Sequence, residues 1–335
     1  MTPSISAAEL QNIESLLEQI VQLRSLLKNS IVGQSEVLDH LLTCALSGSH
    51  ALLVGAPGLA KTLMVKSLAN AFHWKFSRVQ FTPDLMPSDI TGYELLQRDS
   101  QSGNNVMQFR TGPIFTNLLL ADEINRTTPR TQAALLEAMA EARVTVDGVT
   151  HVLNAPFLVI ATQNPVDHEG TFPLPEAQLD RFLMKFTLGY PSVEEEFRML
   201  QMLEKSHPLD SLSAVSSAAE LLACQEAIKD VFVDAKIRNY ILEIVHDTRH
   251  HGDLVLGGSP RASIALFRTS QAMAAIRGRD FVQPDDVKRV AAPVLAHRLV
   301  VKPESRLRKV TSDAIVESIL SEIAVPLIGT ADSST

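Results

Sequence analysis

Apolar residues recur at helical spacing from residue 7 to 29: Leu10, Ile13, Leu16, Leu17, Ile20, Leu23 and Leu27, with Glu, Gln and Arg between them. That period predicts one amphipathic helix, and a second is predicted over 34–47. The pattern then changes. Short apolar runs at 50–54, 76–81, 118–121, 157–161 and 184–188 are separated by helical patterns. Short apolar strands alternating with helices imply an α/β fold, a parallel sheet covered on both faces. Two stretches fit neither period. Residues 82–114 and 143–153 each predict a hairpin projecting from the α/β body, the second around Asp147-Gly148, a strong short-range hairpin signal.

After Gly189-Tyr190-Pro191 the pattern is helical, with no convincing strand to the end of the chain. Ser192 with Glu195, and Ser217 with Glu220, have the spacing of capping boxes. Ser259-Pro260 and Pro284 read as helix starts. Pro293 is expected to break or kink the last of these helices. The expected organisation is an N-terminal helix (1–30), an α/β domain (31–190), a helical domain (191–330) and a disordered tail (331–335). Met199, Met202 and Leu203 read as the core face of the first lid helix.

Composition narrows the class. Of 335 residues, 45% are hydrophobic and 20% charged, which supports a sizeable core. The net charge of −8 lacks the basic footprint of a nucleic-acid binder. The two cysteines, Cys44 and Cys224, read as buried free thiols in a reduced, cytoplasmic protein. No signal peptide is expected, and no apolar run approaches the roughly 18 residues of a membrane span.

The candidate chemistry starts at the first apolar run. Leu52–Val54 leads into Gly55-Ala56-Pro57-Gly58-Leu59-Ala60-Lys61-Thr62. This is the phosphate-loop pattern G-x-x-x-x-G-K-[ST] with alanine in place of its second glycine. Backbone N–H groups at a helix N-terminus cradle phosphates, a lysine reaches the outer phosphates, and a hydroxyl ligates magnesium. Ala60 is expected to sit in right-handed helical geometry. About 60 residues on, Asp122-Glu123 closes a buried strand, where ligands bind in open α/β sheets. Asp122 there holds a magnesium shell, and Glu123 orients or deprotonates a water. Asn164 ends a further strand and is placed to position that water. Arg181, just before the last strand, cannot easily reach its own site; it either supplies charge to a neighbouring subunit or forms a surface salt bridge with Asp180 or Glu176. Arg261 lies in the first turn of a lid helix, against the helix dipole, where contact with bound phosphate would explain it.

Together these segments resemble the MoxR family of AAA+ ATPases: GAPGLAKT, with the family's usual alanine, then ADEINRTTPRTQAALLEAMAEARVTVDG, ATQNP, LPEAQLDRF and GSPRAS. The resemblance spans about residues 30–330. It implies a core sheet of order 5-1-4-3-2, an insertion in the second helix (82–114) and a hairpin before the fourth strand (143–153). It implies that Ile31 and Val32 pack on adenine, and that Lys61, Thr62, Asp122, Glu123, Asn164 and Arg261 act in cis. Arg181 would act in trans, with Arg126 as the alternative interface arginine. It further implies ATP and Mg2+ as ligands, with Asp122 holding the ion through water. The expected function is a hexameric, chaperone-like ATPase that matures partner complexes, often with a von Willebrand factor A protein. The alternatives are a nucleotide-switched scaffold with little hydrolysis, and a chelatase-like or nucleic-acid-associated motor subunit.

Overall fold

The computed structural model describes residues 7–98, 104–165, 171–203 and 216–326. The predicted tail at 331–335 and part of the turn at 102–105 lie outside them. Five strands form the central sheet: β1 (Ala51–Val54), β2 (Phe76–Gln80), β3 (Leu118–Asp122), β4 (Leu158–Gln163) and β5 (Met184–Thr187). Their spatial order is β5-β1-β4-β3-β2, and every neighbouring pair is parallel. This is the order that the resemblance implies.

Alternation along the strands explains why the sheet is covered twice. Leu118, Leu120, Leu158 and Ile160 enter one core, while Leu119, Ala121, Val159 and Ala161 enter the other. The first core continues without a break into the N-terminal helix Ala7–Ser30, the helix Ser35–Leu46 and the C-terminal helices. Ile20, Leu23 and Leu27 of the N-terminal helix are buried there, so this helix is part of the body. Arg24 and Lys28 fix its angle through Asp39, at 2.8 and 3.0 Å.

Both predicted hairpins form. Gly92–Arg98 pairs with Asn105–Thr111, and Arg143–Val146 with Val149–Val152, turning at left-handed Asp147 and Gly148. They meet where Phe109 stacks on His151, ring centroids 3.9 Å apart. Both predicted capping boxes are closed: Ser192 with Glu195, and Ser217 with Glu220.

The region after residue 192 departs from the all-helical expectation. Leu254–Leu256 and Val300–Val301 form a small antiparallel pair. Segments of two and three residues are too short to show an alternation. Pro293 acts as expected: its helix, Pro284–Leu295, stops two residues later and passes into the 3-10 turn Ala296–Arg298. The resulting turn points His297 and Arg298 back at the sheet, where Phe182 O accepts from both side chains.

His50 precedes β1 and is buried. Its Nε2 donates to Met139 O at 3.0 Å, and its Nδ1 accepts from Val159 N–H at 2.9 Å, which fixes a neutral ring. Burial pulls its pKa from 6.5 down to about 4. His297 is also held well below its ordinary value, by burial and by Arg298. Between pH 6.5 and 4 the unfolded chain therefore binds protons that the native chain does not, and stability falls as pH falls. His50 alone contributes about 3 kcal/mol across that window. Urea midpoints at pH 7 and 4.5 check this. His50→Gln, whose amide can replace both bonds without titrating, is expected to shrink the difference; an unchanged difference would remove His50 as its cause.

Candidate active site

β1 runs out into the loop 55–62, and Gly55 N–H extends the sheet by donating to Gln163 O at 3.1 Å. Gly58 has φ +86°, a conformation that suits glycine. Ala60 has φ 54° and ψ 22°, so it is left-handed and not right-handed as expected. The chain must reverse its twist here to enter the helix Lys61–Ala71, which is why the general pattern favours glycine. Alanine in this conformation costs about 1–2 kcal/mol. Successive turns of opposite hand aim backbone N–H groups at one point, and the first N–H groups of the helix have no partner within it. Lys61 folds back over the loop, with Nζ 2.7 Å from Gly55 O. Burial lowers its pKa, opposed by the nearby charges of Asp122 and Glu123. Loop and carboxylates therefore share one site.

Asp122 is buried, and its carboxylate is held on both oxygens. Oδ1 accepts from the Thr162 hydroxyl at 2.6 Å, and Oδ2 accepts from Arg78 Nε and Nη2 at 3.1 and 2.6 Å. Thr162 Oγ1 also accepts from Glu123 N–H at 2.8 Å. Glu123 has φ 58°, a left-handed turn that points it away from the strand line. Its Oε2 accepts from Gln80 Nε2 and from Arg126 Nη1, both at 2.9 Å. Asn164 is buried just past the end of β4. β4 pairs with both β1 and β3, so Asn164 lies between the loop and the carboxylates. Thr62 and Asp122 offer hard oxygen donors at this edge, a donor set that suits Mg2+.

Beside the loop lies a cleft of about 480 Å³, within the size range of small-molecule sites. It is lined by Ile31 and Val32, by Pro57 to Ala60 of the loop, and by Tyr190, Met199, Leu200 and Met202. Met199 and Met202 thus face a cleft and do not form the core face expected of them. Helical periodicity alone cannot separate those two uses of an apolar stripe.

The arginines are elsewhere. β1 and β5 run parallel, with Ala51 opposite Met184 and Val54 opposite Thr187. The loop follows the far end of β1, while Arg181 precedes the near end of β5. A four-residue strand alone separates the two ends by about 13 Å. Arg181 Nη1 donates to Leu136 O at 2.7 Å. Arg261 is on the same side as Arg181: its Nη1 donates to Asp180 Oδ2 at 3.0 Å, and it lines a recess with Arg181, Arg268 and Arg298. The expectation that Arg261 meets its own subunit's phosphate is therefore corrected. The long-range placement of the lid, invisible in local pattern, carries Arg261 to the opposite edge of the sheet. Arg298 is buried and holds Asp180 Oδ1 at 2.8 Å, which ties the recess to the sheet. Arg126 is at the carboxylate edge, on Glu123.

Sequence reasoning missed Arg78, Gln80 and Thr162. Arg78 and Gln80 are two residues apart on an edge strand and share a face; that alternation was hidden in a run read as apolar.

The chain matches the family model "ATPase family associated with various cellular activities (AAA)" over residues 50–184, and the AAA lid domain over 246–319. It is 47% identical to the Bacillus subtilis protein YeaC, over 89% of this chain and 92% of the relative. It is 38% identical to Chaperone MoxR1 of Mycobacterium tuberculosis, over 96% of this chain and 84% of the relative. The crystal structure of an ATPase candidate from Cytophaga hutchinsonii superimposes with a TM-score of 0.87 at 36% identity, covering 96% of this chain and 98% of that one. With the phosphate loop, the carboxylate pair and the sheet order in place, these likenesses establish that the chain belongs to the MoxR family of AAA+ ATPases.

Proposed function

We propose that this chain is a ring-forming, Mg2+-dependent ATPase whose site is completed by a neighbouring copy, and that turnover drives remodelling or maturation of a partner protein complex. The observation that carries this reading is the separation of the chemistry onto two edges of one sheet. Loop and carboxylates occupy one edge; Arg181 and Arg261 occupy the other. A site that needs both must draw the arginines from a second copy, and head-to-tail contacts of that kind close into rings. The family's ring is hexameric, and we adopt that number.

In this reading adenine enters the cleft between Ile31, Val32 and Met199. The loop N–H groups and Lys61 hold the phosphates. Thr62 and Asp122 would hold Mg2+, which would supply charge to screen the phosphates. Glu123 accepts the proton of the attacking water, and Asn164 orients that water. Glu123 must first leave Gln80 and Arg126, so an isolated protomer is expected to be slow. Arg181 and Arg261 of the neighbour stabilise the charge that develops on the transferred phosphoryl group. The remodelling role follows the chaperone named among the relatives, and a von Willebrand factor A protein is the partner class to test first. Among the described residues no helix is long and apolar enough to cross a membrane.

The test is ATPase rate per subunit against protein concentration. A rise with concentration, in step with ring assembly, is expected. A rate that stays flat while assembly proceeds would place the whole site in one subunit.

A further inference from the structure

Asp122 already has a cation. Arg78 sets two N–H groups on Oδ2, at 3.1 and 2.6 Å, while Thr162 takes Oδ1. The carboxylate is buried, with its side chain 12% exposed, whereas the Arg78 side chain is 48% exposed. The arrangement is asymmetric: the acid is fixed, and the arginine has room to swing outward. Arg78 Nη2 also donates to Gln80 Oε1 at 3.2 Å, and Gln80 in turn holds Glu123. Edge strand β2 thus grips both carboxylates through one connected pair of side chains.

We propose that Arg78 is a resident counter-charge that competes with the divalent cation for Asp122, and so sets the Mg2+ concentration at which nucleotide is bound tightly. This rests on the reading of the site as Mg2+-dependent. Mg2+ keeps several waters and needs near-octahedral oxygen geometry. A guanidinium on the same carboxylate oxygen occupies lone pairs that a metal-bound water would use, and its charge repels the ion. Entry of the ion displaces Arg78 from Oδ2. Because Arg78 also contacts Gln80, its displacement loosens the hold on Glu123. Binding of the ion and release of the base become linked through one strand.

The experiment is binding of a fluorescent ATP analogue by the full chain, titrated with free Mg2+, for the native protein, Arg78→Gln and Arg78→Lys. Thermal melts confirm that each variant is folded. In Arg78→Gln the Mg2+ concentration giving half the tightening is expected to fall by about tenfold. Arg78→Lys, which keeps the charge, is expected to stay close to native. An unchanged or higher Mg2+ requirement in Arg78→Gln would overturn the proposal, the latter by showing that arginine orients Asp122 for the ion. Native binding that ignores Mg2+ altogether would overturn the Mg2+-dependent reading as well, a result distinct from a native response that the variant merely shares.

Discussion

Arg181→Ala is expected to lower ATP turnover by about 10³–10⁵-fold in assembled protein, the range found for arginines that stabilise phosphoryl transfer. ATP binding should survive, because among the described residues Arg181 lines neither the loop nor the cleft beside it. Its side chain has one polar partner among the described contacts, Leu136 O, so its loss costs the protomer little structure. Arg261→Ala should have a smaller effect of the same kind: its guanidinium shares Asp180 with buried Arg298, which keeps Asp180 in place. The check is kcat and nucleotide affinity at concentrations where light scattering reports assembly. A drop in affinity with normal turnover would assign these arginines to nucleotide binding; an unaffected rate in Arg181→Ala would move the role to Arg126.

Glu123→Gln is expected to reduce turnover by about 10²–10⁴-fold, the usual contribution of a positioned general base. The amide is the same size and can still pair with Gln80, but it cannot take the water's proton. It also loses the ion pair with Arg126 at 2.9 Å. Nucleotide should bind at least as tightly as in the native chain, since one negative charge near the phosphates is gone. Isothermal titration and a phosphate-release assay on the same preparation separate the two quantities. A fall of only severalfold would leave Glu123 as a structural residue.

How much of this was legible depends on the range of the interaction. The three inner strands β1, β3 and β4 were readable because each buries residues on both faces, so its apolar run is continuous, whereas β2 and β5 at the sheet's edges carry polar residues such as Arg78 and Lys185 within the run. The loop and the Asp122-Glu123 pair were readable because their spacing is set by local backbone chemistry. The hand of Ala60 was not: alanine permits either conformation at modest cost, and the surrounding chain decides. Met199 and Met202 show the same ambiguity on a helix, where a stripe over a cleft has the period of a stripe over a core. Arg261 was misplaced because its position depends on how the lid packs, through Arg298, His297 and the turn after Pro293. The Arg78–Gln80–Glu123 network required the register of β2 against β3, with Gln80 opposite Asp122. Register of that kind is not written in either strand alone. Both thiols are buried as expected, and burial pushes Cys224 up to about 11, so it is poorly reactive.

The central claim is that each site is shared between two copies. The most direct test mixes Glu123→Gln chains, which keep the arginines, with Arg181→Ala chains, which keep the base. Each alone is silent. In randomly mixed rings, about a quarter of the interfaces join an intact base to an intact arginine. Turnover is therefore predicted to reappear in the mixture at about a quarter of the native rate. A mixture that assembles yet stays silent would contradict the shared site and place base and arginine in the same subunit.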